Sequence, residues 1–328
     1  MDKKKSKPTA DLLTGSTHEE EISELPKVGN PVEFGQAILT EEEMRVMSLA
    51  KRNCIFSDFI AEESMTLING FRGLGKSWLA LCLANEATWG GGLGPWKVEH
   101  PVNALIIDGE MPLGLIQDRI KRVNYGRAYK HKPCNLFIYP EAYAYRIGLK
   151  RANLLDKGWR DAITKSILAL NIGFLVLDNL ASLAPGIDEN DKMVFDPVNR
   201  WLLELRFHKL AIVMTHHVGK SGLQRGTTAH EDHLDLSLLL RHSNSYQEED
   251  GCKFICHITK DRSFQAEGKE YGLELVETEI GRVEFTAFRH QTKGAKLLGE
   301  HPSLTKEEAK KMGLSKASFY RAKKELNM

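Results

Sequence analysis

Residues Gly70-Phe71-Arg72-Gly73-Leu74-Gly75-Lys76-Ser77 constrain the fold of this chain more than any other stretch. An apolar, β-rich run over residues 64–69 feeds them, and residues 78–84 after them read as a buried helix. A strand, a glycine-rich loop closing on Lys-Ser and a helix make a phosphate-binding loop. Several backbone amides must point at one phosphate chain, and Gly70, Gly73 and Gly75 permit the angles and close approach this needs. Lys76 is placed to reach the β- and γ-phosphates, the Ser77 hydroxyl to bind Mg²⁺, and the helix to present its positive end. The expected nucleotide contacts are Gly70, Arg72, Gly73, Leu74, Gly75, Lys76, Ser77 and Trp78, with ATP and Mg²⁺ as the bound species.

Three further apolar runs, 104–107, 174–177 and 211–214, read as buried parallel strands. They end in Asp108-Gly109-Glu110, Asp178-Asn179 and Thr215-His216-His217, and helical patterns such as 159–170 and 198–205 separate them. This alternation predicts an α/β fold: a mostly parallel sheet flanked by helices, with functional groups at the carboxyl ends of the strands. Segments 236–240, 252–258, 272–276 and 282–288 read as strands that extend the sheet as antiparallel edges. The ATPase domain is expected over 36–290, after a polar flexible tail at 1–35. Thr40-Glu41-Glu42-Glu43 has the spacing of a capping box and predicts a short helix through Met47 and Leu49.

Lys and Arg number 45 against 44 Asp and Glu, so no global field draws the chain to nucleic acid or membrane, and any such binding comes from local patches. No apolar run reaches the length of a membrane span, and the basic start Met1-Asp2-Lys3-Lys4-Lys5 lacks a signal peptide's apolar stretch. Five scattered cysteines fit free thiols in a reducing cytoplasm, the expected location.

Asp178 ends an apolar strand, where a carboxylate is the expected Mg²⁺ partner beside Ser77. Asn179 follows it, not glutamate, so the group that activates water must come from elsewhere. Glu110, at the end of the strand after the loop helix, is the best candidate base; the other reading is a solvated acid at a helix start.

Together these residues resemble the RecA-like branch of P-loop ATPases. Within it, residues 212–222 (Ile-Val-Met-Thr-His-His-Val-Gly-Lys-Ser-Gly) and Arg225-Gly226-Thr227-Thr228-Ala229 are similar to plasmid and phage RepA-type hexameric replicative helicases. Asp178-Asn179 with Asp188-Glu189-Asn190 fits the same pattern, and the resemblance covers roughly 60–265. It implies a homo-oligomeric ring, usually a hexamer, with ATP between subunits and single-stranded DNA in the channel. It implies that the histidine pair senses the γ-phosphate, His217 rather than His216, and that Lys220 and Arg225 contact the strand's phosphates. Lys260 and Arg262 look like the Lys-x-Arg element of DnaB-type helicases, which reaches a neighbour's ATP. The trans arginine of the plasmid RepA pattern lies earlier on that strand, and an ordinary surface pair also fits these two residues.

The C-terminal segment, 291–328, has a different texture. Residues 304–312 read as a helix with Thr305 and Glu308 at capping-box spacing, Gly313-Leu314 as a turn, and 316–326 as a second helix opened by Ser315. This is the pattern of a small helix-turn-helix. From Lys306 onward seven Lys and Arg face three Glu, a net +4. Lys316, Ser318, Tyr320 and Arg321 are types that reach bases or phosphates of double-stranded DNA, although a solvated basic face gives the same pattern. Two helices bury little, so a third from 291–299 is expected to pack with them. Cys252-x-x-x-Cys256-His257 has no second pair at finger-like spacing and reads as alternating residues of an edge strand, and the resemblance reads the i, i+3 histidines of His230-Glu231-Asp232-His233 as ordinary scaffold.

Overall fold

The computed structural model describes residues 37–186, 192–217, 233–243, 246–288 and 293–326. The expected tail at 1–35, the Asp188-Glu189-Asn190 segment, Lys220 and Arg225 therefore lie outside the described residues. The chain divides into two compact units, Met1–Lys51 and Arg52–Met328.

In the first unit, α1 (Glu41–Val46) opens on the expected capping box: Thr40 Oγ1 accepts from the Glu43 amide at 3.2 Å, and Glu43 Oε2 accepts from the Thr40 amide at 2.7 Å. The helix stops at Val46, short of the predicted Leu49, and Met47 takes an extended conformation (φ −61°, ψ 127°). No residue of α1 is buried, so no packing gain offsets the cost of adding another turn.

The second unit is built on a nine-stranded sheet. Two hairpins stand apart from it, β1 (Cys54–Phe56) with β2 (Ile60–Ala61), and β4 (Gly92–Leu93) with β5 (Trp96–Lys97). The sheet strands are β3 (Met65–Gly70), β6 (Asn103–Asp108), β7 (Leu136–Pro140), β8 (Ile172–Asp178), β9 (Ala211–His217), β10 (Leu236–Arg241), β11 (Lys253–Asp261), β12 (Glu270–Glu277) and β13 (Val283–Phe288), in the order β13-β12-β11-β10-β3-β9-β8-β6-β7. From β10 to β7 every pairing is parallel; β11, β12 and β13 add antiparallel strands. The antiparallel extension thus begins one strand later than the sequence predicts, at β11. The run 236–240 itself lies parallel to β3, with Leu236 opposite Thr66 and Leu240 opposite Gly70.

Strand residues alternate between two cores. Ile68, Val176 and Val213 face α2 (Lys76–Trp89) in one. Leu67, Leu177 and Met214 pack with Ile163 of α5 (Lys157–Ala169), Leu180 of α6 (Leu180–Leu183) and Leu202 of α7 (Lys192–Arg206) in the other. Two further helices, α3 (Leu113–Val123) and α4 (Glu141–Arg146), complete the cover at the β6 and β7 end. Covering on both faces explains why the central strands are near-continuous Ile, Val and Leu.

The C-terminal segment forms α8 (Lys293–Glu300), α9 (Lys306–Lys311) and α10 (Lys316–Glu325). Ala295 and Leu298 of the expected third helix pack with Ala309, Leu314, Phe319 and Ala322 in a separate small core. The predicted caps are present: Thr305 Oγ1 accepts from the Glu308 amide at 3.3 Å, Ser315 Oγ from the Ser318 amide at 3.1 Å, and Gly313 turns with φ +83°. No helix among the described residues is long and apolar enough to cross a membrane.

Candidate active site

The parallel register brings the strand ends together. Asp108 lies opposite Asp178 across β6 and β8, and Gly70 opposite His217 across β3 and β9. A cleft of about 610 Å³ opens there, lined by Arg72, Gly73, Gly75, Lys76, Ser77 and Trp78 from the loop and helix start, and by Asp108, Glu110, Asp178, Asn179 and His217 from the strand ends. Met111, Pro112, Arg119 and Cys252 complete it.

The loop is shaped for an anion. Gly73 and Gly75 have φ of +82° and +97°, and α2 begins at Gly75 with no side chain capping its first amides. Gly75 is also a matter of space, since a Cβ there would lie 2.1 Å from Cys252 Sγ. Of the remaining expected contacts, Leu74 is buried and serves as a packing anchor, whereas Arg72 is exposed at the rim. Trp78 is half-buried under the guanidinium of Arg119, which stacks 4.6 Å from its ring centroid.

Lys76 is buried and folded back on its own loop, donating to the carbonyls of Gly70 at 2.7 Å and Phe71 at 2.8 Å. Burial pulls its ammonium down to about 8, against the opposing pull of Asp178 and Glu110. An anion entering the loop would favour its charged form further and compete for its protons.

Burial raises the carboxyl of Asp178, opposed by hydrogen bonds from Thr215 and Ser77; the Thr215 hydroxyl donates to it at 2.6 Å. Burial also raises Asp108, whose Oδ1 accepts from the amides of Glu110 at 3.0 Å and Met111 at 2.7 Å. Asp108 Oδ2 is buried without a hydrogen-bond partner. Two buried carboxylates beside the Ser77 hydroxyl, one with an unsatisfied oxygen, are chemistry that fits a hydrated divalent cation. No cluster of three or more His, Cys, Asp or Glu among the described residues forms a metal centre of its own.

Glu110 is exposed at the mouth of the cleft, just past β6. Gly109 beside it leaves no room for a side chain, because a Cβ would lie 2.6 Å from Ser182 Oγ and 2.8 Å from Leu183 Cδ2 of α6. This close approach sets Glu110 against Asn179, whose Nδ2 donates to Glu110 Oε2 at 2.5 Å. The same Nδ2 lies 3.5 Å from His217 Nε2. His217 is held at a pKa of about 4, first by burial and then by the charge of Lys76, with Glu110 opposing, so its ring is neutral near pH 7. His216 projects to the other face of β9 and is buried there, as strand alternation requires. Of the two, only His217 lines the cleft.

Other expected residues lie elsewhere. Lys260, next to last in β11, lies opposite Ser237, and the Arg262 amide donates to the Asp235 carbonyl. Through β10 this level matches Thr66 at the start of β3, four residues before Gly70. Strand rise puts that roughly 13 Å from the loop, at the amino-terminal ends of the parallel strands. Lys260 and Arg262 therefore do not line their own chain's cleft. Lys316 and Tyr320 are exposed on α10, and Arg321 belongs to the same helix. Ser318 is half-buried, its hydroxyl 2.9 Å from that of Ser315 in the helix cap. His257 pairs with Glu270 at 2.9 Å, in keeping with the strand reading of that cysteine–histidine stretch.

Asp108, Asn179, Arg119 and Cys252 also line the cleft, where the sequence by itself gives them no role. Asn179 carried one usable signal, an Asn three residues before Ser182 at a helix start. Asp108 shares with Asp178 the signature of an acid ending an apolar strand, whereas Arg119 and Cys252 depend on contacts across the fold, such as Cys252 Sγ against the Leu74 carbonyl at 3.9 Å.

A family model described as an AAA domain matches residues 32–222, more than half of the chain. Among solved structures, a KaiC-like protein from the hyperthermophilic archaeon Pyrococcus horikoshii OT3 is similar with a TM-score of 0.50 and 16% sequence identity. The match covers 73% of this chain and 99% of that one, and at this identity the likeness is one of fold. The expected RecA-like α/β architecture is the one observed. No curated protein matches the chain.

Proposed function

The chain belongs to the AAA domain family of P-loop ATPases, and from that premise we propose that it is a ring-forming replicative DNA helicase of the RepA type, from a plasmid, phage or other mobile element, which hydrolyses ATP while moving along single-stranded DNA. One observation carries the reading. Glu110, Asn179 and His217 converge on the Lys76 cleft, while Lys260 and Arg262 lie toward the amino ends of the parallel strands, outside their own chain's cleft, which suits a role at another subunit's nucleotide.

In this mechanism Lys76 leaves the Gly70 and Phe71 carbonyls for the β- and γ-phosphate oxygens. Ser77 and Asp178 would hold Mg²⁺, which supplies charge neutralisation on the phosphate oxygens. Glu110 accepts a proton from the attacking water. His217, neutral and 3.5 Å from the Asn179 amide, contacts the γ-phosphate and passes its presence or loss to the chain that follows β9. Lys220 and Arg225 belong to that segment and bear on the phosphates of the single strand. A neighbour's Arg262 completes the charge of the transition state, which ties turnover to assembly.

The small C-terminal helical core favours a second reading, in which the ATPase works as a RecA-like DNA-binding regulator or recombination mediator without unwinding. There α10 would choose a double-stranded site through Lys316, Tyr320 and Arg321. Two measurements test the proposal. Lys76→Ala should abolish ATP-dependent phosphate release, and turnover equal to the parent's would sink the ATPase assignment. A strand-displacement assay then separates the readings: unwinding supports the helicase, and DNA-stimulated hydrolysis without displacement supports the regulator.

A further inference from the structure

Asn179 is buried, and its side chain is committed at both ends. It opens α6, where its Oδ1 accepts from the Ser182 amide at 3.0 Å and its own amide donates to Ser182 Oγ at 3.4 Å. Ser182 Oγ in turn donates to the Asn179 carbonyl at 3.0 Å. This cap decides which way the carboxamide points. Turned over, it would set an NH₂ against the Ser182 N–H and an oxygen against the Glu110 carboxylate, two repulsive contacts in place of two hydrogen bonds. The NH₂ is thereby aimed at Glu110, at 2.5 Å, with His217 Nε2 at 3.5 Å. A group needed only as a helix cap would use its oxygen alone, and serine would serve as well.

We propose that Asn179 is a positioning residue for ATP hydrolysis: its amide, oriented by the α6 cap, holds the Glu110 carboxylate in place and links it to His217, so that the base and the γ-phosphate contact are aligned together. The inference rests on the ATPase reading above. Glu110 is exposed at the end of β6, and among the described residues the only hydrogen bond to its carboxylate is the one from Asn179. Without that bond its rotamers are open to solvent, and a base displaced by an ångström loses much of its effect.

The test uses the full chain, with steady-state phosphate release from Mg-ATP in the presence of single-stranded DNA, and thermal melts alongside. Asn179→Ser keeps a good cap and deletes the amide; Asn179→Asp keeps the cap and shape but turns a carboxylate on Glu110. Both should melt within a few degrees of the parent and keep KM for ATP within about threefold, while kcat falls on the order of tenfold or more, further for Asp than for Ser. In a Glu110→Gln background, adding Asn179→Ser should change the residual single-turnover rate by less than about twofold, because the residue acts through the base. Parent-like kcat in Asn179→Ser overturns the proposal, as does an equal loss in the Glu110→Gln background or a rise in KM with kcat intact. A lowered melting temperature in both variants overturns it in favour of a purely structural cap. Phosphate release that survives Lys76→Ala is a different failure, that of the ATPase reading itself.

Discussion

His217 meets the cleft as a neutral ring because burial and the charge of Lys76 hold its pKa near 4, against 6.5 for the free side chain. The unfolded chain takes up this proton at the higher pH, so folding stability is intact above pH 6.5 and is lost as pH falls through 6.5 toward 4. His217→Gln removes that contribution. Melting temperatures recorded from pH 7 to 4 should fall less steeply in the variant than in the parent, and parallel curves would contradict the assignment. Gly75 is a second residue where geometry sets the outcome. Its φ of +97° and the nearby Cys252 Sγ both oppose a side chain. Gly75→Ala should cost about 1–3 kcal/mol in urea unfolding. Cys252→Gly in the same chain should recover the part due to overlap and leave the part due to backbone conformation.

At the scale of elements, local chemistry was readable where it is self-contained. The Thr305–Glu308 cap closes over four consecutive residues, and α9 begins where the sequence places it. Thr305→Ala should destabilise that helix by about 1 kcal/mol, seen as faster amide hydrogen exchange in α9, with ATP turnover unchanged. Faster exchange spreading through β3 and β9 would show that the small core is coupled to the sheet. The direction of β10 was not readable, because an apolar strand has the same pattern either way along the chain. Pairing with β3 decides it, by placing Leu236, Leu238 and Leu240 in one of the two cores. The end of α1 was misplaced for a related reason: Met47 and Leu49 complete an apolar pattern, yet both are exposed and nothing rewards the extra turn.

At the scale of the whole molecule, Arg262 lies outside its own chain's cleft, and the proposed trans role for it would make assembly part of the chemistry. If a neighbour's Arg262 completes each site, Lys76→Ala and Arg262→Ala chains, each inactive alone, should recover activity when mixed. Random assembly would restore about a quarter of the interfaces. Recovery absent under conditions that allow subunit exchange would argue against a trans arginine at this position. Mass in solution with ATP and single-stranded DNA should show a nucleotide-stabilised hexamer, and a persistent monomer would count against the ring.

The phosphate loop was legible from sequence because its function is local: glycines, a lysine and a serine within eight residues, held between a strand and a helix, specify an anion cradle wherever they fold. Asp178 and Glu110 were legible as acids at strand ends, since a parallel sheet gathers such ends on one side. The arrangement that uses them was not. Asn179 stands 69 residues from Glu110 and 38 from His217, and Cys252 stands 178 from Leu74, yet each pair meets at or beside the cleft. Hydrogen bonds and packing act over a few ångströms of space without regard to distance along the chain. Strand order, register and the α6 cap therefore decided which amide meets Glu110, which histidine lines the cleft and which cations lie outside it.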